Sequence, residues 1–188
     1  MQIYDRNMIF YTRQAPQVLE ELRTNGRYVV KEDYIRAKYT TITEHYASLY
    51  RRLTLYARRL IDIPADTLYP VWLSPEGTDP IPPSDDEVFL RLDIPEGHYL
   101  LADDEVWGYM INHMYFPSGK EDELRHEEEL ARYGISSPSS LINGPAGNFY
   151  PLLKQKVLKS WEKVFTEKPA DPRNLVGLCW ELRSEWLI

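Results

Sequence analysis

The apolar pattern of residues 33–61 restricts the fold more than any other stretch of the sequence. Large apolar and aromatic side chains recur there at alternating steps of four and three residues, which is the spacing of one helix face. No glycine or proline interrupts the stretch, and Pro64 follows its end. The pattern predicts one helix of about 29 residues, about 43 Å long. The positions of this stripe are Ile35, Tyr39, Ile42, Tyr46, Leu49, Leu53, Tyr56 and Leu60.

A helix of this length needs a partner surface for its apolar stripe. A coiled coil is one alternative, because the stripe extends over about four heptads. Its positions, however, hold tyrosine and β-branched isoleucine in irregular order, unlike the regular seam of a coiled coil. Packing against a sheet is therefore the favoured interpretation, with short strands lying along the stripe.

Several short apolar segments, separated by turn residues, would supply this sheet. The clearest is Val88–Ile94, in which apolar side chains at every second position define one face. The other predicted strands are residues 8–12, 28–30, 68–73, 99–101 and 175–182. Strands and helices do not alternate regularly, so we predict an α+β fold. Its small, mainly antiparallel or mixed sheet would pack on the one long helix, with several further helices around it.

The length of 188 residues predicts a single domain over residues 1–188. Residues 74–86 and 134–151 are rich in proline, glycine or serine, and we expect loops there. Both are expected to be mobile, and forming a lid is the alternative for the second. A single cysteine, Cys179, leaves no internal disulfide to form. Neither a signal-peptide pattern nor an uninterrupted apolar run of membrane length is present, so we expect a cytoplasmic protein without membrane contact.

The net charge of −7 is distributed unevenly along the chain, with +5 in residues 27–61 and −14 in residues 62–139. On the predicted helix, Arg51 and Arg52 recur seven residues later as Arg58 and Arg59, which gives one basic face. This face has two interpretations. It is solvated or paired with the acidic segment of the same chain, or it contacts the phosphates of a dinucleotide or a nucleic acid.

The motifs of several common enzyme classes are absent from the sequence. There is no glycine-rich dinucleotide fingerprint, no phosphate-binding loop, no zinc-protease motif and no nucleophile elbow. The four histidines lie one per predicted element, without the spacing of metal ligands, so we expect no metal site. Cys179 falls in a predicted buried strand, which favours a structural thiol over a nucleophile.

Polar side chains on the predicted strands are the remaining candidates for a functional site. Thr12 and Arg13 end the first strand, Tyr69 and Trp72 lie on a middle strand, and Glu181 lies on the last. A charged side chain within an apolar strand requires a partner or a functional use. An ion pair between Arg13 and Glu181 is therefore one alternative to a functional site.

Ordered blocks of the sequence resemble a bacterial family catalogued as domain of unknown function 3841, which carries no established activity. The blocks extend over nearly the whole chain. Where this family is expected to have a glutamine entering the last strand, the chain has Val176-Gly177. The blocks are Phe10-Tyr11-Thr12, Tyr69-Pro70-Val71-Trp72, Leu100-Leu101-Ala102-Asp103 with Trp107-Gly108-Tyr109 and Asn112, Ser160-Trp161-Glu162-Lys163-Val164-Phe165, and Trp180-Glu181-Leu182.

A second resemblance concerns function. The order of the predicted segments is similar to that of the ADP-ribosyltransferase fold of small bacterial toxins, which act on nucleic acid or protein. These segments are a strand ending in Tyr-Thr-Arg, a helix, an Asn-Gly turn, a later extended strand, the turn into Leu-Leu-Ala-Asp and a closing strand with a glutamate. This resemblance implies NAD as the cofactor. By position, Thr12 or Arg13 would hold NAD beside Trp72, Tyr69 would pack on the nicotinamide, and Glu181 would orient the ribose or the acceptor. A carboxylate there would stabilise the positive charge that develops when nicotinamide leaves.

Three hypotheses follow. In the first, the protein is an NAD-dependent ADP-ribosyltransferase whose pocket is lined by Thr12, Arg13, Tyr69, Trp72 and Glu181, with the basic helix face guiding a nucleic-acid acceptor. In the second, it is a non-catalytic binding module whose acidic helix at residues 121–133 engages a basic protein, and Arg13 and Glu181 neutralise each other. In the third, it binds nucleic acid without chemistry, and the charge of −7 counts against this.

Overall fold

A computed structural model of the protein describes residues 7–78, 84, 86–166 and 168–188. The chain forms two compact units. The first unit comprises residues 1–102 and 170–188, and the second comprises residues 103–169. The assignment of residues 1–188 to a single domain stays a prediction.

The first unit contains the strands and three helices. Its helices are α1 (Pro16–Asn25), α2 (Glu32–Tyr39) and α3 (Thr43–Ala57). Its strands are β1 (Met8–Gln14), β2 (Arg27–Tyr28), β3 (Val71–Pro75), β4 (Val88–Ile94), β5 (Tyr99–Asp103), β6 (Leu175–Cys179) and β7 (Leu182–Arg183).

Five of these strands form one sheet in the order β4-β1-β3-β6-β5, and β2 pairs with β7 in a separate ribbon. Strand β1 is antiparallel to both β3 and β4, and β3 is antiparallel to β6. In the β1–β4 pair, Met8 lies opposite Ile94 and Gln14 opposite Val88. The predicted α+β fold with a small, mainly antiparallel sheet is therefore confirmed.

One face of the sheet forms the core of the first unit. Leu90, Leu92 and Ile94 of β4 are buried in this core, whereas Phe89 and Arg91, which alternate with them, are exposed. The predicted alternation of β4 is thus confirmed. Val18 and Leu22 of α1 belong to the same core, together with buried residues of β2, β7 and the C-terminal segment.

The single long helix predicted over residues 33–61 is wrong. Helix α2 ends at Tyr39, a 3-10 turn occupies Thr40–Ile42, and α3 then begins. Thr40 has a φ of 43°, which a continuous helix does not allow. The break brings the ring of Tyr39 to 3.9 Å from that of Tyr46 in a stack, whereas residues seven apart in one helix are separated by about 10 Å along its axis.

The core face of the sheet is covered by α1 and the C-terminal segment. Helices α2 and α3 lie on the opposite face, where they line a groove together with Trp72 of β3. Helix α3 also contacts the chain before β3, where the Thr54 hydroxyl donates to the Leu68 carbonyl at 2.9 Å. The apolar stripe is still buried at Ile35, Leu49 and Leu53, so the pattern was read correctly in part.

The last strand is shorter than predicted. Strand β6 ends at Cys179, and β7 begins at Leu182. Between them, the indole nitrogen of Trp180 donates to the hydroxyl of Thr54 at 2.8 Å in a buried hydrogen bond. This hydrogen bond to α3 draws Trp180 out of the strand. Glu181 therefore lies in the break rather than on a strand.

The second unit is helical. It contains α4 (Asp104–Ile111), α5 (Lys120–Arg132), α6 (Pro138–Ile142), α7 (Ala146–Phe149) and α8 (Pro151–Ser160), followed by a 3-10 turn at Trp161–Phe165. Asp103 is the N-cap of α4, as its side chain accepts from the Glu105 amide at 2.9 Å. Trp161 is completely buried and its indole nitrogen donates to the Met114 carbonyl at 2.7 Å.

The two predicted loops have different outcomes. Residues 134–151 are not an irregular loop, because α6 and α7 lie within them and Leu141 is buried. Gly147 permits this, since a Cβ there would collide with the Leu141 carbonyl oxygen. Of residues 74–86, positions 79–83 and 85 lie outside the described residues, so the mobility predicted there stays a prediction. Within the described ranges, no helix has the length and apolar character that crossing a membrane requires.

Candidate functional site

A groove of about 270 Å³ lies on the face of the sheet opposite the core of the first unit. Arg13 of β1, Trp72 of β3 and Phe89 of β4 line it from the sheet. Helices α2 and α3 line it with Tyr34, Lys38, Tyr39 and Tyr50, and Glu87 lies at its edge just before β4. We call this site the Arg13 groove.

Aromatic rings make up much of the wall of the Arg13 groove. The hydroxyl groups of Tyr39 and Tyr50 are hydrogen-bonded at 2.8 Å, and Trp72 also hydrogen-bonds to Tyr50. Burial raises the pKa of Tyr39 and of Tyr50, so both hydroxyls are neutral at physiological pH. The wall therefore offers flat π surfaces with neutral hydroxyl groups, which suit an aromatic ring of a ligand.

The charged side chains of the groove are Arg13, Lys38 and Glu87. Arg13 Nη1 lies 3.8 Å from Glu87 Oε2, beyond direct hydrogen-bond distance. Lys38 Nζ lies 5.5 Å from the centre of the Tyr39 ring. Burial, together with the positive charge of Arg13, lowers the pKa of Lys38. Among the residues that the structure describes, two cations therefore share this site with one carboxylate, which favours an anionic ligand.

Glu87 is ionised in this arrangement. Its Oε2 accepts from the backbone N–H of Ser84 at 3.0 Å and from the Ser84 hydroxyl at 3.1 Å. These hydrogen bonds, followed by the charges of Arg13 and Lys38, lower the pKa of Glu87. The groove thus contains a fixed negative charge beside its two cations.

Thr12 is buried below the groove rather than open to a ligand. Its hydroxyl donates to the Trp72 carbonyl at 2.9 Å and accepts from Gln14 Nε2 at 2.8 Å. Because Trp72 is part of the groove wall, Thr12 acts by fixing the backbone of β3 next to β1. Of the five predicted pocket residues, only Thr12, Arg13 and Trp72 line the groove.

Tyr69 lies behind the groove wall, which corrects the prediction that it lines the same pocket. It is only 2% exposed, its hydroxyl accepts from Arg51 Nη2 at 3.3 Å, and its ring meets that of Tyr50 edge-on at 6.4 Å. Tyr50, which does line the groove, separates Tyr69 from it. A catalytic role for Tyr69 stays a prediction.

Glu181 is also separate from the groove, and its predicted ion pair with Arg13 is wrong. Glu181 is 4% exposed and accepts from Arg27 Nε at 2.6 Å and from Arg183 Nε at 2.8 Å. Arg27 also donates to both oxygens of Asp66, at 2.7 and 3.0 Å. The hydrogen bonds to Asp66 and Glu181 raise the pKa of Arg27. We call Arg27, Asp66, Glu181 and Arg183 the Glu181 cluster; a catalytic role for Glu181 stays a prediction.

The four arginines predicted to form a basic face have different environments. Besides Tyr69, Arg51 contacts Glu32 at 3.9 Å. Arg58 follows the end of α3 and donates to the Thr67 carbonyl at 3.0 Å. Arg59 lies over the Tyr56 ring at 5.8 Å, and Arg52 is half-buried. Arg51 and Arg58 are thus used within the fold, and the phosphate contact predicted for all four stays a prediction.

Cys179 and the histidines do not add to the site. Cys179 is completely buried in the core, and burial raises the pKa of its thiol, so it has the environment predicted for a structural thiol. In the part of the chain that the structure describes, no three histidine, cysteine, aspartate or glutamate side chains are placed to hold a metal ion.

Sequence reasoning missed the residues that α2 and α3 contribute to the groove. Lys38 was assigned no role, and Tyr39 was assigned only to the core-facing stripe. The available signal was the density of tyrosines in residues 34–50, where four occur together with Lys38. Glu87 gave no signal of its own, because it follows a proline-rich stretch of acidic residues.

Comparison with known proteins identifies the family. Residues 9–188 match the sequence model of the family described as Domain of unknown function (DUF3841). No similarity to a curated protein or to a solved structure was found. The match extends over both units and agrees with the resemblance seen in the sequence blocks. The protein therefore belongs to the family described as Domain of unknown function (DUF3841).

Proposed function

We propose that the protein binds NAD in the Arg13 groove and transfers the ADP-ribosyl group of NAD to an acceptor. The observation that carries this proposal is the convergence of two cations and several aromatic rings in one groove. Arg13 and Lys38 lie there with one carboxylate, Glu87, and with Tyr34, Tyr39 and Trp72.

The composition of the groove fits the two chemical parts of a dinucleotide. Arg13 and Lys38 would hold the pyrophosphate, since a guanidinium pairs with phosphate oxygens and Lys adds a compact charge. The aromatic wall would stack on a base or on the nicotinamide ring. A volume of about 270 Å³ is close to the lower limit of ligand pockets, which is about 300 Å³. The groove would therefore enclose one half of NAD and leave the other half at its mouth.

Bound NAD supplies an ADP-ribosyl group: the ribose–nicotinamide bond breaks with its electron pair leaving on nicotinamide, and the acceptor bonds to the ribose carbon and gives up a proton. Glu87 would contribute electrostatically, because its ionised carboxylate faces the groove and favours positive charge nearby. The resemblance to ADP-ribosyltransferases assigned this part to Glu181. The geometry favours Glu87, since Glu181 is held by two arginines away from the groove.

The test combines calorimetry with an assay of nicotinamide release. Wild-type protein should bind NAD, and Arg13→Gln should bind it at least about tenfold more weakly, because a charged hydrogen bond is lost. Arg36→Gln is the matched control, since Arg36 is an exposed arginine of α2 that pairs with Glu32 and does not line the groove. Wild-type protein that shows no heat change and no nicotinamide release at saturating NAD would refute the proposal.

A second candidate function is a non-catalytic module that binds a basic protein through α5. Glu121, Glu127 and Glu128 of this helix are exposed. Asp122 and Glu129, in contrast, accept hydrogen bonds within the unit, Asp122 from Tyr115 and Glu129 from Lys156. Leu124, which is 46% exposed, adds an apolar contact to this acidic surface.

Replacement of Glu121, Glu127 and Glu128 by glutamine separates the two candidates. The binding-module hypothesis predicts that the triple variant loses binding to a lysine-rich peptide, measured by fluorescence anisotropy, while its fold is unchanged. The transferase proposal predicts that this variant binds NAD as the wild type does. Equal peptide binding by the wild type and the variant would exclude α5 as the docking surface.

A further inference from the structure

Four side chains of β1 and β4 form a second feature at the mouth of the Arg13 groove. In the antiparallel register, Tyr11 lies opposite Arg91, and Arg13 lies opposite Phe89. The two aromatic residues are therefore diagonal to each other, and so are the two arginines. We call these four side chains the β1–β4 quartet.

The aromatic pair of the quartet is stacked and partly open to solvent. The rings of Tyr11 and Phe89 have centroids 5.2 Å apart and an interplanar angle of 12°. Phe89 is 39% exposed although it is paired with Arg13 within a seven-residue strand ladder. A nearly parallel, exposed pair of rings on an open sheet face is a surface on which a further flat ring can stack.

Each arginine of the quartet adjoins the aromatic pair. Arg91 lies 6.0 Å from the centre of the Tyr11 ring and donates to Glu76 at 3.0 Å. Arg13 is only loosely paired with Glu87, at 3.8 Å, and its side chain is 37% exposed. Arg13, Arg91 and Lys38 supply positive charge around the stack for the phosphates of a nucleic acid. The described carboxylates on this side are Glu76, Glu87 and Asp93, which follows Arg91 on the same face of β4.

We infer that the β1–β4 quartet binds single-stranded nucleic acid, with a base stacked on Phe89 and Tyr11 and adjacent phosphates held by Arg13 and Arg91. An unpaired strand is required, because the rings can stack only on bases whose faces are accessible. Bases in a duplex do not offer such faces, and the net charge of −7 opposes binding of a long, rigid polyanion. Alternating aromatic and cationic side chains are the composition that proteins use for sequence-tolerant contacts to single strands.

The quartet and the groove are continuous, since Tyr11, Arg13 and Phe89 belong to both. A nucleic-acid strand stacked on the quartet would therefore present its base or ribose next to a ligand in the groove. The assignment of this strand as the acceptor of ADP-ribose rests on the proposed function. Its binding to the quartet does not.

The test is fluorescence anisotropy with a labelled 12-nucleotide single strand, at low salt, on the full-length protein. The wild type should bind, and Phe89→Ala should weaken binding about tenfold, because one base-stacking contact is lost. Phe89→Leu should give a similar loss while keeping an apolar side chain on β4, which separates stacking from a change in folding. Phe149→Ala is the control, since Phe149 is 78% exposed in the second unit and should leave binding unchanged.

Three outcomes would overturn the inference. The first is no binding of the single strand by the wild type. The second is equal binding by the wild type, Phe89→Ala and Phe89→Leu, which would indicate a contact through charge alone. The third is that Arg52→Gln and Arg59→Gln lose binding of the oligonucleotide while the Phe89 variants keep it. This result would place the oligonucleotide on the predicted basic face of α3 and the turn after it.

The same protein preparation separates this inference from the proposed function. Binding of the oligonucleotide without binding of NAD would refute the transferase and retain the quartet as a nucleic-acid site. Binding of NAD without binding of the oligonucleotide would refute the quartet and retain the groove.

Discussion

The Glu181 cluster and the Arg13 groove use charge in opposite ways within the first unit. In the cluster, the buried carboxylate of Glu181 accepts from Arg27 at 2.6 Å and from Arg183 at 2.8 Å, and Asp66 completes the neutralisation of Arg27. In the groove, the carboxylate partner of Arg13 among the described residues is Glu87, at 3.8 Å, and Lys38 adds a second positive charge.

The difference indicates which of the two regions is structural. Charges that are matched in number and held at hydrogen-bond distance compensate the cost of burial and leave no capacity for a ligand. An excess of charge of one sign in a groove is unfavourable alone and becomes favourable when an opposite charge binds. By this criterion we expect the cluster to stabilise the fold, and we propose that the groove binds a ligand.

The largest effect is expected in the cluster. Glu181→Gln removes the negative charge between Arg27 and Arg183. We expect the free energy of unfolding to fall by about 2–3 kcal/mol, less than for a fully buried pair because both arginines are more than one-third exposed. For a chain of this size, the melting temperature should fall by about 4–12 °C, measured by circular dichroism.

Asp66→Asn is the matched control for this prediction, since Asp66 pairs with the same arginine but is 58% exposed. Its melting temperature should change much less. An unchanged melting temperature in Glu181→Gln would mean that Glu181 is not a structural residue, and the comparison between the two regions would fail.

Thr12→Val tests whether the groove depends on its floor. The substitution keeps the shape of the side chain and removes the hydroxyl that bonds to the Trp72 carbonyl and to Gln14. We expect the free energy of unfolding to fall by about 1 kcal/mol. NAD affinity, measured by calorimetry, should fall only a few-fold, since Thr12 acts by positioning Trp72. The control is Thr41→Val, at an exposed threonine, which should change neither the free energy of unfolding nor the NAD affinity. A complete loss of NAD binding in Thr12→Val would instead assign Thr12 a direct ligand contact.

Glu87→Gln sharpens the comparison from the side of the groove. Removing the carboxylate of Glu87 from the groove should raise NAD affinity by about threefold, because the repulsion of the phosphates is relieved. The rate of nicotinamide release should fall, since the charge that favours the reacting ribose is lost. Glu21→Gln, which removes a carboxylate paired with Lys31 outside the groove, should affect neither quantity. Lower affinity together with an unchanged rate would contradict the role given to Glu87.

The smallest effect concerns pH. Burial and the charge of Arg13 lower the pKa of Lys38, so this lysine loses its proton at a lower pH than an ordinary lysine. Since the anion binds the protonated form, NAD affinity should already decrease at a pH below the ordinary pKa of lysine. In the absence of ligand the sign is opposite: above the folded-state pKa the unfolded chain holds more protons, so Lys38 contributes a rise in stability with pH. Lys38→Gln should flatten the affinity profile, and Lys31→Gln should not; an identical slope in both variants would exclude Lys38.

The sequence predicted those parts of the fold that depend on local periodicity. The alternation in β4 follows from neighbouring residues and is confirmed. The long helix failed because its interruption at Thr40 depends on tertiary contacts of Tyr39 with Tyr46 and Tyr50, which periodicity does not contain.

Of the site residues, Arg13 and Trp72 could be identified from the sequence. A charged side chain, or a large aromatic one with a polar N–H group, stands out among the apolar residues of a predicted strand. It paired Arg13 with Glu181, whereas the structure pairs Arg13 with Glu87 and Glu181 with Arg27. Strand order and register determine which residues pair when they are far apart in the sequence. From the sequence alone, several carboxylates were equally suitable as the ion-pair partner of Arg13. The presence of Lys38 in the groove could not be predicted, because it depends on where α2 lies on the sheet.

Calorimetric titration of NAD into the wild type, Arg13→Gln and Glu181→Gln, at a temperature where all three are folded, tests the central claim most directly. The account predicts that the wild type and Glu181→Gln bind NAD with similar affinity and that Arg13→Gln binds at least about tenfold more weakly. Loss of NAD binding in Glu181→Gln with normal binding in Arg13→Gln would contradict it, and would place the functional site at the Glu181 cluster.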